Sequence, residues 1–314
     1  MERNGARGWD RARPDKASDG GPRRSLITPL PGMLRRLIGA ASPNDAALQR
    51  MHDDADIRAE TLPPGHPSIA AFTDGTVCPM AKLTIVRQSH KATRDSAAIV
   101  HAVGGLPTLR RFTIRFYQKA FADPVLDAFI RSHEDPHGER FAAWIAEKLG
   151  VGTPWSDERR TRRIELFEAK GHSLQTPHDR SSAHFAAWHS PKRSDDVWGE
   201  HFKLDTCRVW MRLHFWACRE EGLTEHAAFI DYYVRFIGHF VSVYEQAAPP
   251  FARESLRWSA DAANVQRYMD AGRRMPEIMG LSHEDALAAL PPDERIYSGS
   301  KDGRHWPYEQ GSGM

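Results

Sequence analysis

Histidine is the residue type through which this chain is best equipped to do chemistry. The sequence contains sixteen histidines. Seven of them lie in or beside apolar helical segments: His133, His137, His184, His189, His201, His214 and His239. A neutral imidazole is the commonest metal ligand in proteins, and it also transfers protons near neutral pH. A single histidine on an apolar helix face is more often a packed core residue, so position alone selects none of the seven as a ligand.

Two of these histidines have a spacing that would suit a metal. His133 and His137 are four residues apart, which on one continuous helix would place both imidazoles on the same face. Pro136 lies between them and favours a helix start at that point, so the two rings need not face the same way. The sequence contains no Walker phosphate loop and no GxSxG nucleophile elbow. It therefore offers no signature of nucleotide binding or serine hydrolysis.

Composition narrows the class of protein. The 314 residues are 40% hydrophobic and 27% charged, with a formal net charge of +2, which is ordinary for a globular protein. The basic clusters, such as residues 159–163, are short and mixed with Asp or Glu, and they read as solvated faces. We therefore expect no nucleic-acid partner.

Three cysteines, Cys78, Cys207 and Cys218, form no CxxC pair. A small, odd number of cysteines argues against a disulfide framework and fits a reducing compartment. The N-terminal residues lack the apolar stretch of a secretory signal, and no window approaches the roughly 18 apolar residues of a membrane span. The expectation is a cytoplasmic protein with no membrane partner.

The chain divides into four regions by composition. Residues 1–31 are rich in Arg, Gly, Pro and Asp and are expected to be a disordered arm. Residues 32–98 read as a partly helical extension, with a short extended piece near 82–87. Residues 99–250 carry the strong helical patterns, and residues 251–314 form a C-terminal extension with weaker helical pieces.

Helical periodicity dominates residues 99–250. Apolar residues recur at three- and four-residue steps from Leu109 to Ala120, and Asp123-Pro124 and Asp135-Pro136 are typical helix starts. Residues 204–220 form a helix with a broad apolar surface, which indicates burial on two sides. No alternating strand pattern follows residue 99, and at most one helix is expected near 159–169. The prediction is an all-α domain with about five main helices.

A set of short motifs in this domain resembles one protein family. The motif residues occur in family order: Val103-Gly104-Gly105, Phe116-Tyr117, Phe121 through Phe129-Ile130, His137 through Phe141, Leu149-Gly150 with Trp155-Ser156, Gly171-His172 and Trp210-Met211-Arg212. Together they resemble the truncated haemoglobins of group II and cover about half of the chain. The resemblance implies a globin-like, two-over-two helical sandwich that holds haem b.

The resemblance also assigns roles. Tyr117 matches the tyrosine that hydrogen-bonds the bound diatomic ligand, and His137 matches the distal position on the helix that also carries Phe141. Trp210 matches the tryptophan that closes the ligand pocket. Phe129 or Ile130 matches the residue at the haem edge.

The proximal ligand is where this chain departs from the family pattern. The family has His-x-Pro at a fixed distance before the tryptophan, and that distance leads here to Val197, which cannot bind iron. His189-Ser190-Pro191 reproduces the triplet eight residues earlier, so His189 is the preferred ligand. His184 and His201 are the alternatives.

Three functions follow as expectations. The first is a haem protein that reversibly binds dioxygen or another diatomic ligand, with a reductase as a partner if it also turns over nitric oxide or peroxide. Whether it is an enzyme stays open. The second is a haem-free, globin-like helical module that senses or binds a partner. The third is a mononuclear metal enzyme that uses His133 and His137.

Overall fold

The computed structural model describes residues 81–86 and 89–295. The arm expected at residues 1–31, most of the extension that ends at residue 98, and the last residues from 296 onward lie outside the described part. The described residues are mostly helical, which confirms the expectation of an α-class protein.

The elements are numbered here in chain order. Two short strands open the described part, β1 (Ile85–Val86) and β2 (Ser89–His90). The first helices are α1 (Arg94–Ala102), α2 (Gly105–Ala122), α3 (Pro124–Asp127), α4 (His137–Lys148) and α5 (Pro154–Thr161). A hairpin of β3 (Leu166–Ala169) and β4 (His172–Gln175) follows. The remaining helices are α6 (Arg180–Trp188), α7 (Leu204–Glu220), α8 (Ala227–Val241), α9 (Pro250–Ala260), α10 (Ala262–Asp270) and α11 (His283–Ala288).

Helix α2 is central to the core because it packs against both α4 and α7. Its crossing with α4 is close: a Cβ added to Gly138 would lie 2.8 Å from the Cα of Ile114. At the same place the hydroxyl of Thr113 donates to the carbonyl of Gly138 over 2.6 Å. Glycine is therefore required at 138 for the two backbones to meet.

Local sequence signals set the helix starts. Asp123 caps α3, since its Oδ1 accepts from the amides of Val125 and Leu126, and Pro124 follows at the first helical position. The second Asp-Pro pair also marks a helix start, because α4 begins at His137. Asp135 does not cap it by its side chain, which pairs instead with Arg131.

The segment 151–183 differs from expectation. Helix α5 lies earlier than the helix expected near 159–169, and an antiparallel hairpin pairs Leu166 with Gln175 through Ala169 with His172. Its turn has positive φ at Lys170 (50°) and Gly171 (78°), which suits a two-residue hairpin. The strands alternate poorly in hydrophobicity, so periodicity did not reveal them. The short extended piece expected near 82–87 is confirmed in part by β1.

The C-terminal helical pieces are confirmed as α9, α10 and α11, and α9 packs along α7. Phe251, Ala252 and Trp258 of α9 are buried. Between the helices, the guanidinium of buried Arg212 on α7 bonds the carboxylates of Glu254 and Glu277. Among the described residues no helix combines the length and apolarity needed to cross a membrane.

Candidate functional site

A cavity of about 280 Å³ lies among α2, α4, α6, α7 and α8. It is lined by every pocket residue that the family resemblance assigns apart from the proximal ligand: Tyr117, Phe129, Ile130, His137, Phe141 and Trp210. These residues are up to 93 positions apart in the sequence (from 117 to 210), and four separate elements or loops carry them.

The cavity wall is aromatic because the apolar stripes of the helices converge on it. Phe116 on α2 contacts Trp210 on α7 with ring centroids 5.3 Å apart, and Phe141 on α4 lies 5.9 Å from the same indole. Trp144, one turn further along α4, contacts Phe240 of α8 at 4.8 Å. Rings in these edge-on and tilted arrangements pack stably and keep water out of the space between them.

Tyr117 and His137 form one side of the cavity. Their rings stack with centroids 5.1 Å apart. Burial raises the pKa of Tyr117 to about 12, so its hydroxyl stays protonated and able to donate a hydrogen bond at neutral pH. Burial lowers the pKa of His137, which keeps its ring neutral, and its Nε2 lies 2.8 Å from the carbonyl oxygen of Ser132. That nitrogen therefore carries the proton and donates to the backbone.

Of the three candidate axial histidines, the structure brings one to the cavity. His184, on α6, lines it, and its Nδ1 lies 2.9 Å from the hydroxyl of Tyr244. Its ring also meets Phe202 edge-on at 5.7 Å. Contact with Tyr244 and Phe202 fixes the plane of the His184 ring relative to the cavity.

The structure does not place His189 or His201 on the cavity lining. His189 ends α6, where its Nδ1 bonds the carbonyl of Phe185 at 2.8 Å and its ring stacks on Phe185 at 4.1 Å. His201 stacks on Trp188 with centroids 3.9 Å apart. The preference for His189 follows from the His-x-Pro triplet and stays a prediction, while among the three histidines the structure places His184 on the cavity lining.

Four arginines line the cavity, and sequence reasoning missed them: Arg131, Arg140, Arg162 and Arg180. Arg140 bonds Glu158 at 3.1 Å, and Arg162 bonds Glu158 as well as the carbonyls of Pro177 and His178. The guanidinium of Arg180 lies 4.8 Å from the ring centroid of Phe240. Four cations beside the acidic Asp135 and Glu158 leave this part of the site net positive, which suits a ligand with carboxylates.

One of these arginines was expected elsewhere. Arg162 belongs to the basic run 159–163, which the sequence suggested was a solvated face. The side chain of Arg162 is only 9% exposed, and its guanidinium lies 5.2 Å from the ring centroid of Trp155. A run of like charges gave no sign that one member faces inward.

The metal site suggested by the spacing of His133 and His137 does not form. The five residues from His133 to His137 read H-E-x-x-H, a pattern that binds zinc when it lies on one helix. Here α4 begins only at His137, and His133 bonds Asp127 at 2.5 Å instead. In the described residues no group of three or more His, Cys, Asp or Glu side chains could hold a metal ion.

No family model, no curated protein and no solved structure matches this chain.

Proposed function

We propose that this chain is a haem protein of the truncated-haemoglobin type, which binds dioxygen or another diatomic ligand in the cavity described above. The observation that carries the proposal is that six residues chosen from sequence motifs line one aromatic cavity together with a histidine from a further element, α6. An accidental set of motif matches would be scattered over the fold. The packing of α2 against α4 and α7 also agrees with a two-over-two sandwich.

His184 is the axial ligand in this proposal. A histidine that binds a metal with one ring nitrogen commonly hydrogen-bonds a second group with the other, which fixes its tautomer and ring plane. Tyr244 fills that second role for Nδ1 of His184.

The arginines suit the two carboxylates of haem b. Arg131, Arg140, Arg162 and Arg180 surround the polar part of the cavity, while Phe141, Trp144 and Trp210 supply the apolar walls. Haem b is an amphipathic ring with two carboxylates, so it needs both the cationic side chains and the apolar walls. The residues present therefore fit haem b.

When bound, haem would supply the iron atom that binds the diatomic ligand. The chain supplies the surroundings. Tyr117 and Trp210 line the cavity, and the Tyr117 hydroxyl and the Trp210 indole N–H are the donors they would offer to a bound ligand, the indole as a donor only. His137 donates its Nε2–H to the Ser132 carbonyl and holds the Tyr117 ring by stacking. Phe116 and Phe141 exclude water.

Haem titration of the purified full chain tests the proposal. We expect one haem per chain, a Soret band, and a ferrous form that binds carbon monoxide. Ala183→Trp fills the cavity from α6 and should abolish binding, because Ala183 lines it. Glu139→Trp adds the same side chain at an exposed position of α4 and should leave binding intact. A folded wild-type chain that takes up no haem, or equal binding by the Ala183→Trp variant, would overturn the proposal.

A further inference from the structure

A buried histidine that plays no part in ligand binding connects the cavity to the protein core. His214 lies one helical turn after Trp210 on α7 and is fully buried. Its ring stacks on the indole of Trp210 with centroids 4.5 Å apart and planes 16° from parallel. On its other side it stacks on Tyr233 of α8 at 5.6 Å and 22°. Trp210, His214 and Tyr233 thus form a continuous stack whose first member lines the cavity.

The end of the stack is a tyrosine paired with a base. The hydroxyl of Tyr233 lies 3.0 Å from Nε2 of His214, and Tyr233 has no exposed surface. We assign the phenol as the donor, since a neutral imidazole with its proton on Nδ1 accepts with Nε2. Burial lowers the pKa of His214 to about 3 and raises that of Tyr233 well above 10, so in the resting protein the proton stays on the phenol.

We propose that Trp210, His214 and Tyr233 form a redox relay that carries an oxidising equivalent from the cavity to Tyr233. The inference rests on the proposed function for its natural oxidant, a peroxide that is reduced at the haem. Trp210 and Tyr233 are the two easily oxidised rings of the stack, and His214 fills the space between them. A phenol becomes strongly acidic when it loses an electron, so the adjacent imidazole then takes its proton despite being a weak base at rest.

The step balances in atoms and charge. The oxidised cavity site takes one electron from the Trp210 indole, and the indole regains it from Tyr233. The O–H bond of Tyr233 breaks as an N–H bond forms at Nε2 of His214, which leaves a neutral tyrosyl radical beside an imidazolium. A peroxide takes two electrons and two protons as its O–O bond breaks. With haem bound, Tyr233 would supply one electron, the haem the other, and solvent the protons.

Tyr117 lines the cavity itself but lacks this arrangement. In the described part of the chain its ring stacks on His137, whose Nε2 is committed to the Ser132 carbonyl. Among those residues the Tyr117 hydroxyl has no hydrogen bond to a base. Oxidation of Tyr117 would leave its proton with no acceptor in the described part of the chain, so the radical settles on Tyr233.

The molecule contains a matched control pair. Tyr232 is as buried as Tyr233, and its hydroxyl lies 2.6 Å from Nε2 of His90. The ring of His90 contacts Tyr232 and Phe236 rather than a tryptophan that lines the cavity. Tyr232→Phe therefore removes a histidine-bound buried phenol that lies outside the relay.

Freeze-quench electron paramagnetic resonance tests the relay in two arms. In the first, the haem-loaded chain receives hydrogen peroxide. In the second, the haem-free full chain is oxidised by light with tris-bipyridyl ruthenium and persulfate, which removes one electron at a time. Ring-deuterated tyrosine narrows a tyrosyl signal and leaves a tryptophanyl signal unchanged, so it identifies the radical. If no haem binds, the photochemical arm alone tests whether the relay operates.

We expect a tyrosyl signal in the wild-type chain that falls at least tenfold in Tyr233→Phe and is unchanged in Tyr232→Phe. His214→Gln, which keeps a polar side chain but removes the base, should replace it with a tryptophanyl signal. A signal of wild-type size in Tyr233→Phe, or one lost in Tyr232→Phe, would overturn the relay. Failure of haem binding with a normal photochemical result would overturn the proposed function and leave the relay in place.

Discussion

At the scale of single residues, the proposed function makes Tyr117 the principal donor to a ligand in the cavity. Its pKa near 12 keeps the hydroxyl protonated, whereas the Nε2 proton of His137 is directed to Ser132. Tyr117→Phe should therefore speed dioxygen release by roughly five- to a hundredfold, the equivalent of about 1–3 kcal/mol. His137→Ala should change the rate of dioxygen release less. Stopped-flow release rates compare the two variants, with haem content as the control.

An unchanged release rate in a haem-loaded Tyr117→Phe variant would mean that the tyrosine only packs the cavity wall. A larger effect of His137→Ala would mean that the histidine ring turns from Ser132 toward the ligand.

Two buried histidines make stability depend on pH. Burial lowers the pKa of both His90 and His214 to about 3, from 6.5 in the unfolded chain. Because the folded pKa is the lower one, their contribution is fully present above pH 6.5 and is lost as the pH falls toward 3. Between pH 7 and 5 the free energy of unfolding should fall by about 2 kcal/mol for each histidine, at about 1.4 kcal/mol per pH unit below 6.5.

Urea unfolding of the haem-free chain at the two pH values measures this loss. His214→Gln should remove about half of it, and adding His90→Gln should remove most of the rest. A double variant with the same acid sensitivity as the wild type would show that other groups are responsible.

At the scale of the elements, the crossing of α2 and α4 depends on Gly138. A methyl group there would lie 2.8 Å from the backbone of Ile114, so Gly138→Ala must push the two helices apart. Overpacking of this kind destabilises by about 1–3 kcal/mol. Glu139→Ala, at an exposed neighbouring position, should change stability by no more than about 0.5 kcal/mol. Urea unfolding of both variants provides the comparison, and equal stabilities would contradict the close crossing.

The attachment of α9 to α7 depends on a buried ion pair. Arg212 is 6% exposed in its side chain and bonds Glu254, which is 13% exposed. Arg212→Ala leaves Glu254 buried without this partner and should cost about 3–5 kcal/mol. Arg115, 45% exposed, pairs with Glu220 and Glu221, and Arg115→Ala should cost no more than about 1 kcal/mol. Similar losses in the two variants would show that the α7–α9 pair is not special.

Elements marked by a cap or by apolar periodicity could be predicted from the sequence, and the hairpin, which has little apolar periodicity, could not. Asp123-Pro124 caps and starts a helix using neighbouring residues alone, so α3 begins where the sequence indicated. The hairpin of β3 and β4 has little apolar alternation, because Leu166 is 69% exposed and Glu168 is also exposed. Its formation depends on the turn at Lys170-Gly171, a signal that hydrophobic periodicity does not contain.

At the scale of the whole molecule, the walls of the cavity could be predicted from the sequence, whereas the choice among the three candidate histidines could not. Tyr117, Phe141 and Trp210 sit on long helices whose periodicity fixes which face is buried, so their convergence follows from the fold. His184 and His189 are five residues apart near the end of one short helix. Which of these two histidines points toward the cavity depends on where α6 ends and on how the following loop packs. The chain distance to Trp210 carries no information on either.

The whole account depends on haem bound in this cavity through His184. The most direct measurement is the absorption spectrum of the haem-loaded ferrous chain in His184→Gly, His189→Gly and His201→Gly, each with and without added imidazole. The account predicts that only His184→Gly loses the histidine-bound spectrum, and that imidazole restores it by filling the space left by the side chain. A wild-type spectrum in His184→Gly, with loss in His189→Gly or His201→Gly, would contradict it.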